Sequence, residues 1–144
     1  MKEKTNAQIS QDAKNNQEGV IKAKRKLKSH LERYTHEDDF IITERKAKYW
    51  FTVINKAMFN SNLPKPIGWE IKNLRGCWGR CSGRSSDNAV VGISTQIDSR
   101  DLFLATLSHE MVHIWELNML GEMSHGKVYL KWKRLFKKKL NITL

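Results

Sequence analysis

The chain has 144 residues, 40% of them hydrophobic, and a formal net charge of +11. A chain of this length can bury one modest core, so we expect a single folded domain. The sequence contains no apolar run of membrane-spanning length, and its first residues lack the apolar segment of a signal peptide. These features argue against a membrane protein and predict an intracellular one, in which Cys77 and Cys81 are reduced thiols.

Residues 1–39 form a polar, basic N-terminal extension, and we expect about the first eighteen to be disordered because they contain few apolar side chains. Residues 19–34 show weak helical periodicity, which fits a solvated, charged helix somewhat better than a phosphate-binding one. The extension holds 9 basic and 7 acidic residues, whereas residues 40–144 hold 17 and 8. The excess positive charge therefore belongs to the predicted folded domain, residues 40–144.

The predicted domain begins with a helix that Thr43 caps and that ends near Asn60. Its apolar stripe is expected to be core and consists of Ala47, Trp50, Phe51, Ile54, Ala57 and Met58. Both prolines fall within residues 62–68, which are predicted to form a loop. Residues 69–74 and 89–94 are predicted to be strands of a small sheet.

Residues 75–84, with the sequence RGCWGRCSGR, separate the two predicted strands. Their glycines indicate a bulge or a close approach of the backbone in a hairpin. A C-x3-C pair without further ligands is half of a zinc site, so Cys77 and Cys81 fit packed or free thiols better. Trp78 lies among arginines and offers a stacking surface beside positive charge, although a structural role for Trp78 is an equal alternative.

A second helix is predicted after Ser99, its expected N-cap, and before Gly121, its expected end. Residues 100–118 contain neither glycine nor proline. One face is expected to pack in the core through Leu104, Leu107, Met111, Ile114, Trp115 and Asn118. The roughly opposite face carries the residues that bear chemistry.

That face contains the sequence HEMVH at residues 109–113. On a helix, His109 and His113 lie one turn apart, so both imidazoles can bind one zinc ion. Glu110 then lies beside the metal, where it can accept a proton from water. A short motif of this kind occurs by chance, and a structural alternative is that the histidines merely pack between helices.

A third ligand must come from another part of the chain. The pattern H-E-x-x-H-x-x-G-x-x-H is excluded because Glu116 and Met119 occupy the positions of its glycine and last histidine. Downstream, the remaining candidates are His125 and Glu122. His125 follows Ser124, a predicted N-cap of the last helix, and is the expected ligand, with Glu122 as the alternative.

The last predicted helix is strongly basic and has no acidic residue. Part of this charge suits the helix dipole, but the excess indicates sequence-independent binding of nucleic acid, single-stranded or double-stranded. An anionic membrane surface or an acidic protein would attract the same charge. The candidate nucleic-acid contacts are Arg75, Trp78, Arg80, Arg84, Lys131, Arg134, Lys137 and Lys138.

HEMVH, a short loop, His125-Gly126 and Tyr129 together resemble the SprT-like (Spartan) metalloprotease family. Further matches, in the family's order, are MFN at 58–60, Leu63, WEIK at 69–72, RGCWGRC at 75–81 and IS at 93–94. The resemblance covers about residues 44–136. It implies an α+β, zincin-like domain with helices around a small antiparallel sheet and the H-E-x-x-H motif on the central helix. Many members carry a zinc ribbon or partner-binding segments after this domain, and this sequence shows neither before Leu144.

The resemblance further implies a protease that acts on proteins bound or crosslinked to DNA. We expect it to be intracellular: nuclear in a eukaryote, and cytoplasmic or in the nucleoid in a bacterial or viral setting. We predict that His109, His113 and His125 bind one Zn²⁺ and that Glu110 accepts a proton from water. Tyr129 is a candidate for stabilising the oxyanion. The alternatives are a zinc-containing DNA-binding module with little protease activity and a zinc peptidase for a single partner unrelated to DNA.

Overall fold

The computed structural model describes residues 17–29 and 40–144. Residues 17–29 are helical and form α1. The other elements are α2 (Glu44–Phe59), β1 (Gly68–Lys72), β2 (Gly79–Ser82), a 3-10 turn (Ser86–Asn88), β3 (Val90–Ser94), α3 (Arg100–Leu120) and α4 (Lys127–Leu140). The predicted disorder falls outside the described residues, except that positions 17 and 18 are helical. Among the described helices, none is long and apolar enough to cross a membrane.

Helix α2 has the bounds that its capping residues predict. The Thr43 side chain accepts a hydrogen bond from the Lys46 amide at 3.2 Å, which satisfies one of the free donors at the helix start. Asn60 ends the helix in the left-handed conformation, with φ of 54°. The predicted apolar stripe is buried or packed against the core, as expected.

The sheet has the order β1-β3-β2. Strand β3 runs parallel to β1 and antiparallel to β2, so the sheet is mixed and the expectation of an antiparallel sheet is wrong. The sequence analysis did not predict β2, because its residues GRCS lack the apolar alternation of a half-buried strand. Residues Val91–Ser94 of the central strand β3 are buried consecutively rather than alternately, which indicates that both faces of this strand are covered.

Helix α1 contributes to the same core as the elements that follow it. Ala23 and Leu27 are 8% and 0% exposed and belong to the main apolar cluster. The Lys26 ammonium lies 4.7 Å from the centre of the Tyr49 ring on α2. The core therefore includes residues that precede position 40, where the sequence predicted the folded part to start.

Helix α3 carries the HEMVH sequence and contacts α2, α4, β2 and β3. It begins at the predicted cap, where the Ser99 hydroxyl accepts a hydrogen bond from the Leu102 amide at 3.2 Å. It ends at Gly121, whose φ of 75° is a left-handed conformation that glycine adopts without strain. Because α3 is covered on several sides, polar residues within it are buried and need partners.

Helix α4 begins at Lys127 with Gly126 at its N-cap, so the prediction that Ser124 caps it is wrong. The Ser124 hydroxyl accepts a hydrogen bond from the Gly126 amide and lies beside Glu116 of α3 instead. His125 consequently lies in the connection between α3 and α4 rather than in a helix. Helix α4 packs onto the core through Tyr129, Phe136 and Leu140.

Candidate metal centre

Three imidazoles converge at one point between α3 and the start of α4. His109 Nε2 lies 3.0 Å from His113 Nε2 and 3.2 Å from His125 Nε2. Within the described residues, these three form a cluster in which one ligand atom from each lies within 4.8 Å of the others. The three ligands that the sequence predicts are thus brought together. Glu122, the alternative ligand, is exposed and lies outside this cluster.

The outer nitrogens of two rings have partners that favour one tautomer. His113 Nδ1 lies 2.7 Å from Glu116 Oε1, and a carboxylate can only accept, so His113 donates its proton there. His109 Nδ1 lies 2.7 Å from the Tyr129 hydroxyl, which can accept in the same way. With its proton on Nδ1, His113 directs the Nε2 lone pair into the cluster, and His109 does the same in the tautomer that donates to Tyr129.

The donor set fits a divalent metal ion. Burial lowers the pKa of His109 to about 4, with repulsion from the other two imidazoles and Lys133 contributing. Burial also lowers the pKa of His113, although the bond to Glu116 opposes this shift. The imidazoles of His109 and His113 are therefore neutral near pH 7, as metal ligands must be. Neutral rings whose lone pairs face each other at these distances repel, and a cation among them removes that repulsion. Three imidazoles with an open fourth position suit zinc.

Glu110 lies next to the cluster and is 4% exposed. Burial raises the pKa of its carboxyl to about 8. Strand β2 approaches it closely, since a Cβ on Gly79 would lie 3.2 Å from Glu110 Oε1 and 2.6 Å from Thr106 Cγ2. This is the close backbone approach that the glycines of residues 75–84 indicate, and it makes the wall opposite Glu110 main chain rather than side chain.

A cleft extends to both sides of Glu110. Gly79, His109 and Glu110 line two neighbouring recesses of about 350 and 310 Å³. The first recess is completed mainly by Trp78, Leu102, Ala105 and Leu144, and the second by Arg80, Cys81, Met123 and His125. All three histidines line the second recess, and His109 and Glu110 lie where the two recesses adjoin, beside β2, which is an edge strand of the described sheet.

The predicted nucleic-acid contacts near β2 differ in their surroundings. Arg75 and Arg84 are exposed, and Trp78 is 48% exposed at the wall of the first recess. Arg80, in contrast, forms an ion pair with Glu70 at 2.5 Å, which lowers the pKa of that carboxyl. Part of the Arg80 charge is therefore neutralised within the protein.

The four predicted contacts on α4 are all exposed: Lys131, Arg134, Lys137 and Lys138. Three of them, Arg134, Lys137 and Lys138, line a surface recess of about 520 Å³ together with Lys133. The four predicted contacts, without Lys133, are called the basic face of α4 below: Lys131, Arg134, Lys137 and Lys138. It offers positive charge without a partner of opposite sign among the ion pairs of the described residues.

Three further residues of the sequence analysis occupy defined places. Cys77 and Cys81 are free thiols outside the histidine cluster. Burial raises the pKa of the Cys81 thiol to about 12, so it stays protonated. Tyr129 is the candidate for stabilising the oxyanion. Its hydroxyl lies 2.7 Å from Nδ1 of His109, so its hydrogen bond is to a candidate metal ligand.

Glu116 contacts the candidate metal centre, and the sequence analysis did not predict it as part of the site. It is fully buried, and its two oxygens contact His113 and Ser124. In the sequence its only role was to exclude one motif. Glu116 follows His113 by three residues, so on a helix the two side chains are neighbours on one face. This spacing could have predicted their contact.

The converging imidazoles form a possible metal site in an α+β domain. The family model described as SprT-like matches residues 47–144, and the chain belongs to the SprT-like family. A relative is the Germ cell nuclear acidic protein of Drosophila melanogaster, which is 34% identical over 95 residues. The match covers 62% of this chain but only 9% of that relative's length. No solved structure gives a significant match.

Proposed function

We propose that this protein is a zinc-dependent endopeptidase that cleaves proteins bound or crosslinked to DNA. The observation that carries the peptidase proposal is the buried Glu110 carboxyl beside three converging imidazoles, where two surface recesses adjoin. A purely structural zinc site would have four closed protein ligands, whereas this cluster has three.

In this proposal His109, His113 and His125 hold the metal. Zinc, when bound, supplies the Lewis acidity that polarises a peptide carbonyl and lowers the pKa of water to about 7. Glu110 accepts the proton from the attacking water and later gives it to the leaving amine. Its burial raises the affinity of the carboxylate for a proton, which suits a base that must first take up a proton and then release it.

The cleft favours an endopeptidase because it continues on both sides of Glu110. A substrate chain can therefore extend in both directions from the bond that is cut. The exposed edge of β2 offers backbone donors and acceptors to an extended peptide. Gly79 keeps this strand close to Glu110, so a peptide paired with β2 would lie beside the general base.

The DNA part of the proposal rests on charge. Residues 40–144 carry a net charge of +9, and the basic face of α4 is exposed. Trp78, exposed at the edge of the cleft, provides a surface on which a base can stack. We propose sequence-independent binding of single- or double-stranded DNA at an intracellular site, and the Drosophila relative is by name a nuclear protein.

The test is cleavage of a DNA-binding protein by the full chain, without DNA, with single-stranded DNA and with double-stranded DNA. Wild type and Glu110→Gln are compared, and metal content is measured in both. We expect one zinc in each protein, and DNA-stimulated cleavage only in wild type. Glu110→Gln should reduce turnover by about 10²- to 10⁴-fold, the usual contribution of a general base.

Other outcomes would replace this proposal with one of two alternatives. Zinc and DNA binding without any cleavage would indicate a DNA-binding module. Cleavage that is independent of DNA and of salt concentration would indicate a peptidase with a partner unrelated to DNA, because DNA affinity falls steeply with salt. A protein without metal would contradict both the peptidase and the zinc module.

A further inference from the structure

The three histidines come from two separate segments, which must be held in register. His109 and His113 lie on α3, where the helix backbone sets their spacing. His125 lies in the connection between α3 and α4 and is exposed, although its ring contacts those of His109 and Tyr129. Something other than burial must place His125 against the helix.

Glu116 contacts both segments through its two carboxylate oxygens. Oε1 accepts from His113 Nδ1 at 2.7 Å. Oε2 accepts from the Ser124 amide at 3.2 Å and from the Ser124 hydroxyl at 3.3 Å. The fully buried carboxylate is thus satisfied by three donors, which offsets the cost of removing its charge from water.

The bonds continue past His125. The Ser124 hydroxyl also accepts from the Gly126 amide at 3.3 Å, so the residues on both sides of His125 are held. Gly126 is the N-cap of α4, and the same bonds therefore fix where that helix begins. A single chain of hydrogen bonds leads from His113 through Glu116 and Ser124 to the backbone that carries His125.

We propose that Glu116 is a positioning residue that orients two of the three metal ligands at once, His113 directly and His125 through Ser124. This inference rests on the metal centre of the proposed function and not on peptidase activity. In this inference Glu116 and Ser124 raise the affinity for the metal although neither residue binds it.

A carboxylate is required because both ends of the side chain must accept. Glutamine has almost the same size, but its amide has one accepting and one donating end. Glu116→Gln can therefore satisfy His113 or the Ser124 amide, but not both. Loss of a hydrogen-bond partner behind a metal ligand typically weakens metal affinity by about 10- to 100-fold, and we expect an effect of this size.

The experiment measures Zn²⁺ affinity of the full chain by competition with a chromophoric chelator, in the absence of any substrate. Co²⁺ is bound in parallel, because its visible absorption bands report coordination geometry. Glu116→Gln should weaken Zn²⁺ binding and alter the Co²⁺ spectrum. Ser124→Ala, on the exposed connection, should weaken binding less because the backbone amide remains, and Ser124→Thr should restore it.

Glu122→Gln is the matched control, since it removes an acidic charge from the same connection without touching the cluster. It should bind Zn²⁺ like wild type. Thermal unfolding of the metal-free proteins shows whether Glu116→Gln folds. A loss of affinity in Ser124→Ala cannot come from a disturbed core, because Ser124 is exposed.

The link between the two ligands is tested in a His125→Ala background. If Glu116 acts through both His113 and His125, Glu116→Gln must cost less affinity when His125 is absent. An equal loss in both backgrounds, or wild-type affinity in Glu116→Gln, overturns the inference. A wild-type protein that binds Zn²⁺ but cleaves nothing would remove the proposed function and leave this inference standing, whereas one that binds no Zn²⁺ would overturn both.

Discussion

The site-facing side of α3 and the basic face of α4 are both polar helix surfaces, yet their side chains have very different surroundings. On α3, Glu110, His113 and Glu116 are 4%, 6% and 0% exposed. The cations of the basic face on α4 are all exposed to solvent. The two helices contact each other, so the contrast arises within one part of the molecule.

The difference matters because a buried polar side chain indicates its role more clearly than an exposed one does. A buried carboxylate or imidazole costs several kcal/mol unless it is hydrogen-bonded or binds a metal, so its partners indicate its role. An exposed lysine is solvated at little cost and needs no partner. The α3 surface therefore supports a specific chemical proposal, whereas the α4 surface supports long-range attraction of an anion and little more detail.

The largest effect is expected from His113→Ala, which removes a candidate ligand and leaves Oε1 of the buried Glu116 carboxylate without its donor. We expect Zn²⁺ affinity to fall by roughly two to three orders of magnitude, since each ligand of a zinc site contributes about 3 kcal/mol or more. Metal content after dialysis, measured by elemental analysis, checks this. Retention of a full equivalent of zinc would mean that the metal is bound elsewhere.

A smaller but still large effect is expected from Gly79→Ala. The added Cβ would meet Thr106 Cγ2 at 2.6 Å and the Gly92 carbonyl at 3.2 Å, so β2 must move away from α3. Overpacking of this kind costs about 1–3 kcal/mol, and the movement should also impair cleavage. Thermal unfolding and peptidase assays measure the two consequences.

The matched control is Gly68→Ala in β1, where the new Cβ would lie 3.6 Å from Val90, an ordinary contact. It should leave stability unchanged or raise it slightly, because alanine has less conformational freedom than glycine in the unfolded chain. If both variants behave alike, the close approach of β2 to Glu110 is not a constraint on the site.

An effect of about tenfold on metal affinity is expected from Tyr129→Phe, which removes the hydroxyl that is hydrogen-bonded to His109 Nδ1. The same variant distinguishes two roles of this hydroxyl. Weaker Zn²⁺ binding identifies a partner of the ligand, whereas unchanged binding with reduced turnover identifies the oxyanion role. Chelator competition and steady-state kinetics separate the two.

The smallest effect is expected from Arg134→Gln on the basic face of α4. Folding stability should change by no more than about 0.5 kcal/mol, because the side chain is exposed. DNA affinity should fall modestly, and the slope of log K against log salt should decrease by about 1 if one phosphate contact is lost. Lys48→Gln on α2, whose ammonium pairs with Glu44, is the control and should leave the slope unchanged.

Local sequence was sufficient where the chemistry is local. The caps Thr43, Ser99 and Gly121 could be predicted because each acts on a helix end within a few residues. The spacing of His109 and His113 follows from helix geometry, and the resemblance to the SprT-like family is confirmed by the match over residues 47–144. The DNA partner and the substrate class stay predictions.

Tertiary structure decided whatever depends on distant segments meeting. The insertion of β3 between β1 and β2 makes the sheet mixed, and no strand pattern specifies its neighbours. Ser124 carries a typical capping side chain but bonds to Glu116, because a buried carboxylate needs its donors more than a solvated helix end does. The sequence by itself determined which residues can bind a metal; the packing of α3 against the α3–α4 connection decided that Glu116 contacts both His113 and Ser124, the residue before His125.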